Sequence, residues 1–319
     1  MRKLIQRLLA AAICLVAASA ARADDKPLHI ILGFPAGASS DTVTRLLAEK
    51  MRVSLNRPVV VENKPGAGGI LANMVVKTAA PDGATVLMTP LATMVAYPYS
   101  YSKLDYDPFK DYVPVAHVAA FQLALGVGPD VPAKTLAEYV ALAKQGGRYA
   151  NFASAATGSL PHFFGLLFAR TAGLELTHVP YKGTASVLQA MMADEIPAAV
   201  LPVADLGTLE QSGKGRILAV TGAKRAAQFP NVPTFKESGY DIEGSAWYAL
   251  FAPAGTPKAA VDQISQAAID ATRAPDVRQR IESFGLEATG LGPAELAAIL
   301  KSDYDKWGPV IRASGFKAD

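Results

Sequence analysis

Three short stretches of small polar residues carry the chemistry open to this sequence, and all three suit the binding of an anion. In the first, an apolar run of Leu28, Ile30, Ile31 and Leu32 reads as a buried strand ending at Phe34. A Pro-Ala-Gly-Ala turn follows, then Ser39, Ser40 and Asp41, residue types that cap helices. The second, Thr89-Pro90-Leu91-Ala92-Thr93, follows an apolar run at Thr85–Met88. The third, Ala155-Ala156-Thr157-Gly158-Ser159-Leu160-Pro161-His162, follows Tyr149–Ser154, with Ser159 as the expected cap and Pro161 two residues later. A strand, a small-residue turn and a capped helix aim unpaired backbone N–H groups at one point, where the helix dipole also favours negative charge. In an open α/β sheet that point lies beyond the carboxyl ends of the strands, where ligands bind. Taken alone, the first turn reads equally well as an ordinary connection of an α/β fold. None of the three contains Arg or Lys, so an anion would be held by N–H groups and hydroxyls.

Other chemistries find less support. PGAGG (65–69) lacks the G-x-G-x-x-G spacing of a dinucleotide turn and reads as a tight bend before a helix at Ile70. His29, His117, His162 and His178 are scattered, without H-x-x-H or H-E-x-x-H spacing or a Cys partner, so neither metal nor cofactor is expected. There is no G-x-S-x-G nucleophile elbow. Lys182 and Gly183 imitate part of a phosphate loop without the glycine that should precede them. Ser159 and His162 could share a helix face, but Ser159 is needed as the cap, and no catalytic residue is assigned. Asp105, Asp107, Lys110 and Asp111 read as a solvated loop held by Tyr106, Phe109 and Tyr112.

The elements that must position these turns are legible. Val59–Val61, Ala198–Val203, Arg216–Thr221 and Trp247–Phe251 read as further strands. Thr135 and Glu138 form a capping box. Thr256 and Pro257 open a helix through Ala271, Pro275 opens one stopping at Gly285, and Pro293 starts a terminal helix with Leu296, Ile299, Leu300, Tyr304 and Trp307 on one face. This alternation predicts an α/β fold of parallel, helix-covered sheets. The length favours two domains, and the lack of a Gly/Ser linker favours lobes built discontinuously.

Arg2, Lys3 and Arg7, the apolar run Leu8–Ala18 and Ala21-Arg22-Ala23 form the pattern of a secretory signal peptide over 1–23. The run is shorter than the ~20 residues that span a bilayer. Cys14 inside it lacks the preceding small residue of a lipidation site. Removing the segment takes four basic residues from 31, leaving 27 against 28 acidic ones and a formal charge of −1 in place of +3. The basic balance of the whole chain is therefore no argument for nucleic acid or a membrane surface. The one Cys leaves too, so the mature chain must be held by its core.

The segments VVVENKPGAGG (59–69), APDGATVLM (80–88), LDYDPFKDYVPV (104–115), HVPYKGT (178–184), GKGRILAVTGAKR (213–225), NVPTFKESGY (231–240) and WYALFAPAGTPK (247–258) stand in an order and spacing of their own. In these the chain resembles the tripartite tricarboxylate transporter substrate-binding family, the Bug receptors, over essentially its mature length. The resemblance implies a periplasmic-binding-protein-like fold of type II, with two α/β lobes joined by two crossing strands and a ligand cleft between them. The crossings are expected near Ala119–Leu125 and Leu218–Gly222, giving one lobe of 24–122 and 220–319 and another of 123–219. It also implies a monomeric periplasmic receptor that hands a small carboxylate to membrane transporter subunits. Phe34, Ala36, Gly37, Ser39 and Asp41 match the family's first ligand loop, Thr89 and Thr93 its second, and Ser154, Thr157, Gly158, Ser159 and His162 its third. Two departures stand out: Gly37-Ala38 replaces a glycine pair, and Leu201-Pro202 replaces a usually acidic position. The rival readings are a secreted enzyme or a periplasmic sensor for a similar anion.

Intact-mass analysis of the periplasmic fraction is expected to give an unlipidated chain beginning at Asp24; a retained leader or an acyl group on Cys14 would overturn this.

Overall fold

The computed structural model describes residues 26–37 and 39–318, so the expected leader lies outside the described residues. Strand β1 (Leu28–Leu32) is parallel to β2 (Val59–Asn63) on one side and to β3 (Thr85–Pro90) on the other. A strand flanked and covered in this way is apolar on both faces, which is why Leu28, Ile30, Ile31 and Leu32 run together. The chain then reaches β4 (Tyr112–Val127), whose sixteen residues serve two halves of one ten-stranded sheet. From Tyr112 to Gln122 it pairs antiparallel with β9 (Ser245–Pro253), and β10 (Glu287–Leu291) lies on its other edge. From Leu123 to Val127 its partners become β7 (Ala198–Pro202) and β8 (Arg216–Val220). In the second half β5 (Asn151–Ser154) is parallel to β7 and to β6 (Thr177–Pro180).

The expectation of purely parallel sheets is corrected here. Every pairing of β4 and β9 is antiparallel, because strands that carry the chain between halves must run against their neighbours. Residues 223–243 lie against the second half and also touch the first, where Gln228 Nε2 donates to Glu282 O at 3.4 Å. Ala226 and Val232 sit in the core of the second half with Val187 and Leu206, and Phe235 and Tyr240 pack their rings on Phe168 at 5.4 and 5.6 Å. The chain returns to the first half at Gly244, whose N–H donates to Thr221 O at 2.8 Å, and Ser245, which pairs with Gln122.

The helices are α1 (Ser39–Ser54), α2 (Ile70–Lys77), α3 (Tyr97–Ser100), α4 (Leu136–Ala143), α5 (Leu160–Ala172), α6 (Thr184–Met192), α7 (Val203–Gln211), α8 (Lys258–Arg273), α9 (Pro275–Ser283) and α10 (Pro293–Ala313). Helices α1, α8 and α9 bury Val43, Leu47, Ile264, Val277 and Ile281 on one face of the first half. Helices α6 and α7 cover one face of the second half with Val187, Met191, Leu206 and Leu209. The remaining core is continuous across both halves: Ala72 and Val76 of α2, Phe164 and Phe168 of α5, and Leu296, Leu300 and Trp307 of α10 share it. The capping box holds, since Thr135 Oγ1 accepts from Glu138 N at 3.2 Å. Thr256 does not cap α8; its hydroxyl donates to Pro253 O at 2.7 Å, closing the turn before the helix.

Helix α5 crosses β5 closely enough that a Cβ on Gly165 would stand 2.0 Å from Phe152 Cε2, and that ring is wholly buried. Gly165→Ala should therefore cost about 1–3 kcal/mol through overpacking, seen in urea unfolding as a lower midpoint at unchanged slope. An unchanged midpoint would contradict this packing.

Candidate functional site

The first two turns converge. Gly33 and Gly69 meet backbone to backbone: a Cβ on Gly33 would lie 2.6 Å from Gly69 Cα. Gly69 itself, at φ 102, is flanked by the half-buried Phe34 ring and by Thr93 Cγ2, each about 3.3–3.5 Å from where its Cβ would be. Only glycine accommodates that backbone and that approach, which gives the PGAGG bend a function beyond turning the chain. Ala36, Gly37 and Ser39 are exposed along the rim. Ser39 Oγ stands 3.2 Å from Tyr248 OH, and Tyr248 lies opposite Pro90 in the β3–β9 ladder. Ser39, Tyr248 and the second turn thus share one wall.

Asp41 supports this wall from behind. Its buried carboxylate accepts from Gly37 N at 3.0 Å, Asn63 Nδ2 at 2.8 Å and Arg45 Nε at 3.0 Å. Burial pushes its pKa up, but the bonds from Arg45, Gly37 and Asn63 outweigh that and hold it below the usual carboxylate range. Asn63 also donates to Phe34 O at 2.9 Å, so β2 and α1 fix both ends of the first turn.

Thr89 and Thr93 are buried, with hydroxyls 2.6 Å apart; Thr89 donates to Asn73 Oδ1 at 3.3 Å and Thr93 to Pro90 O at 3.0 Å. These side chains shape the second turn from within. From Ala92 to Ala96 the helix is a wide π turn, a form that recurs at functional sites. Tyr106 from the 104–112 segment clamps it, its OH donating to Thr93 O at 2.6 Å, while Tyr112 OH donates to Asn73 O of the neighbouring α2 at 2.7 Å. Sequence reasoning assigned these tyrosines to holding their own loop and missed that they reach the second turn and α2. It missed Tyr248 as well.

The third turn lies on the second half. Ser159 caps α5, its Oγ accepting from His162 N at 3.5 Å and donating to Ala156 O at 2.7 Å. Thr157 is exposed, and Gly158, at φ 74, donates its N–H to His162 Nδ1 at 3.1 Å. Beneath the turn Ser154 Oγ lies 2.8 Å from His178 Nε2, and the His178 and His162 rings stack at 3.9 Å. Burial lowers both imidazoles to about 4, with His178 adding a smaller effect on His162. Both rings are therefore neutral near pH 7 and act as turn supports. PYKGT clasps the same turn, Tyr181 N donating to Ser154 O at 3.1 Å and Gly183 N to Ala155 O at 2.9 Å.

A cavity of about 530 Å³ opens beside β4, between Phe121 and Gln122, Val203 and Lys224, and Glu282 and Gly285. None of the expected site residues lines it. Its walls carry charges of both signs and include Val203, the first residue of α7 directly after β7. Among the described residues no group of three His, Cys, Asp or Glu side chains is placed to hold a metal, and no helix is long and apolar enough to cross a membrane.

Comparison with known proteins places this geometry in context. A family model described as "Tripartite tricarboxylate transporter family receptor" matches residues 43–316. The chain is similar to a Cupriavidus necator protein named "UPF0065 protein in gbd 5'region", 32% identical over 298 residues, covering 93% of this chain and 90% of that one. Its fold is similar to that of MatC of Rhodopseudomonas palustris with bound malate, at TM-score 0.78 and 31% identity, covering 90% of this chain and 99% of that one. An R. palustris protein with adipate superposes at TM-score 0.81 and 26% identity, covering 92% and 98%. The α/β fold is thus of the periplasmic-binding-protein type expected from the sequence.

Burial lowers His117 to about 4 as well. A histidine whose folded pKa lies below its unfolded value leaves the folded state binding fewer protons than the unfolded one between the two. Stability should therefore be full above about pH 6.5 and fall as pH drops from about 6.5 toward about 4. Urea unfolding at pH 7 and 4.5 checks this, and a flat profile would show that the imidazoles are not buried neutral.

Proposed function

The chain belongs to the tripartite tricarboxylate transporter receptor family, whose members are substrate-binding proteins and not enzymes, and from that premise we propose that it captures a small carboxylate in the periplasm and delivers it to membrane transporter subunits. The observation that carries the reading is the convergence of Ser39, Tyr248 and the second turn on one wall, with the capped α5 N-terminus presented by the other half. Two lobes follow, one of 24–122 with the chain from about Ser245 onward, the other of 123–244, with β4 and Gly244–Ser245 as the crossings. The ligand lies between Phe34, Ala36, Gly37, Ser39 and the backbone of Thr89–Thr93 on one side and Thr157, Gly158 and Ser159 on the other. Asp41, Ser154 and His162 hold these turns from behind. The exported chain is a monomer, with 1–23 removed after Ala23.

The magnitudes suffice. A hydrogen bond to a charged group is worth ~1.5–3 kcal/mol net, and micromolar affinity needs about 8 kcal/mol. About four to six such bonds meet that on preorganised turns, against an association cost of ~4–15 kcal/mol. Because the contacts are buried dipoles, affinity should depend little on salt.

Leu201 and Pro202 offer no carboxylate to an ammonium, and an unpaired buried charge is strongly unfavourable, so plain mono- or dicarboxylates bind in preference to amino acids. Phe34 adds an apolar wall. The malate and adipate carried by the two R. palustris relatives are carboxylates without an amine. One observation favours a second reading: burial raises the Asp205 carboxyl in the first turn of α7, and its charge reaches the Tyr248 phenol, so Asp205 could receive an amine.

Calorimetric titration of ligand-stripped protein with succinate and aspartate decides between them, succinate being expected to bind more tightly. Ser159→Ala should weaken binding roughly tenfold and lose about 1 kcal/mol of stability with the cap. Tighter aspartate binding that is lost in Asp205→Asn would establish the second reading, and no effect of either Ser39→Ala or Ser159→Ala would remove both turns from the site.

A further inference from the structure

Helix α10 runs beneath both halves, and the segment that follows it touches the third turn and the end of α3 at once. Near the end of the helix the Arg312 guanidinium stands 4.8 Å from the centre of the Tyr99 ring on α3. Beyond it, Phe316 N donates to Ser314 Oγ at 3.2 Å and bends the chain back over the third turn. The Phe316 ring meets His162 edge to face at 5.2 Å and Phe163 at 5.7 Å. Its Cε1 lies 2.9 Å from where a Cβ on Gly158 would stand. Two residues later Ala318 N donates to Ser100 O at 2.7 Å. Ser100 is the last residue of α3, the short helix that continues the second turn.

We propose that residues 314–318 are a strap between the end of α3 and the third turn, and that Phe316 is a positioning residue for the backbone of Thr157–Ser159. The proposal rests on the reading that these turns share one carboxylate. Gly158 has no side chain with which to anchor its left-handed conformation and is held by the bond from its own N–H to His162 Nδ1 at 3.1 Å. The Phe316 ring fills the space a side chain would have taken and also packs on His162, so it braces both partners of that bond. Separation of the lobes draws Ser100 away from His162, so the strap must release either the Phe316 ring or the Ala318 bond before the cleft opens. Ligand exit is slowed by that release, whereas entry into a cleft already open is not.

The test compares the wild type with Phe316→Ala, Phe316→Leu and Ala318→Pro. Amide hydrogen exchange of residues 156–160 is followed in the unliganded protein, and release of succinate by stopped flow. Phe316→Ala should speed both roughly tenfold, the scale of two lost aromatic contacts, and Phe316→Leu should restore much of the loss. Ala318→Pro removes the N–H donor and should speed release while leaving exchange in the turn close to wild type. If neither Phe316→Ala nor Ala318→Pro changes exchange or release, the strap is wrong. If Phe316→Ala does not fold, Phe316→Leu and Ala318→Pro decide the matter in its place, and wild-type exchange and release in both would equally overturn the strap. If the wild type binds no succinate, the carboxylate reading is what has failed, and exchange in the turn still decides whether Phe316 holds it.

Discussion

A single strand cannot belong to two sheet halves without fixing how they meet, and β4 does so with sixteen residues. Its hydrogen-bond partners change from β9 and β10 to β7 and β8 between Gln122 and Leu123. Thr221 reinforces this point: its hydroxyl accepts from Leu123 N at 3.0 Å and its own N–H donates to Leu123 O at 2.9 Å. Gln122 adds a second fastening, donating to Lys224 O and accepting from Gly222 N. Motion of one half against the other must concentrate where partners change, because elsewhere it would break ladder bonds in a dry core.

The anion site proposed above does without a cation. Arg45, one helical turn into α1, is bound to Asp41 and so is already engaged behind the first turn. What remains is backbone, hydroxyls and helix ends, all of which keep their dipoles whatever the pH. The neutral imidazoles beneath the third turn fit this pattern, His162 accepting from Gly158 N and stacking on His178 without adding charge. Such a site discriminates by shape and by the count of donors, since it has no charge of its own to select one anion over another.

The sequence made the turns legible because their signals are local: a cap, a proline or a glycine within a few residues. Ser159 as the cap of α5, the bend before Ile70 and the capping box at Thr135 all stand where local chemistry placed them. The missed features are contacts over long separations. Tyr248 reaches Ser39 across 209 positions, and Tyr112 reaches Asn73 across 39. The antiparallel course of β4 escaped as well, because its apolar residues fill both faces and leave no alternation to read. The late return at Gly244 was hidden for another reason: residues 223–243 have no regular strand or long helix, and their attachment to the second half lies in scattered side chains such as Phe235 and Val232.

The loop of 104–112 has two unequal constituencies. Asp105 and Lys110 point into solvent, while Tyr106 and Tyr112 are buried and carry bonds to the second turn and to α2. Drift among the charges is close to neutral, but a change of length between the tyrosines would retune the π turn at Ala92–Ala96 without altering one residue on the cleft wall. Divergence in what a lineage of such receptors recognises can therefore enter through insertions in an outer loop that never meets the solute, and a search confined to ligand-lining positions would overlook it.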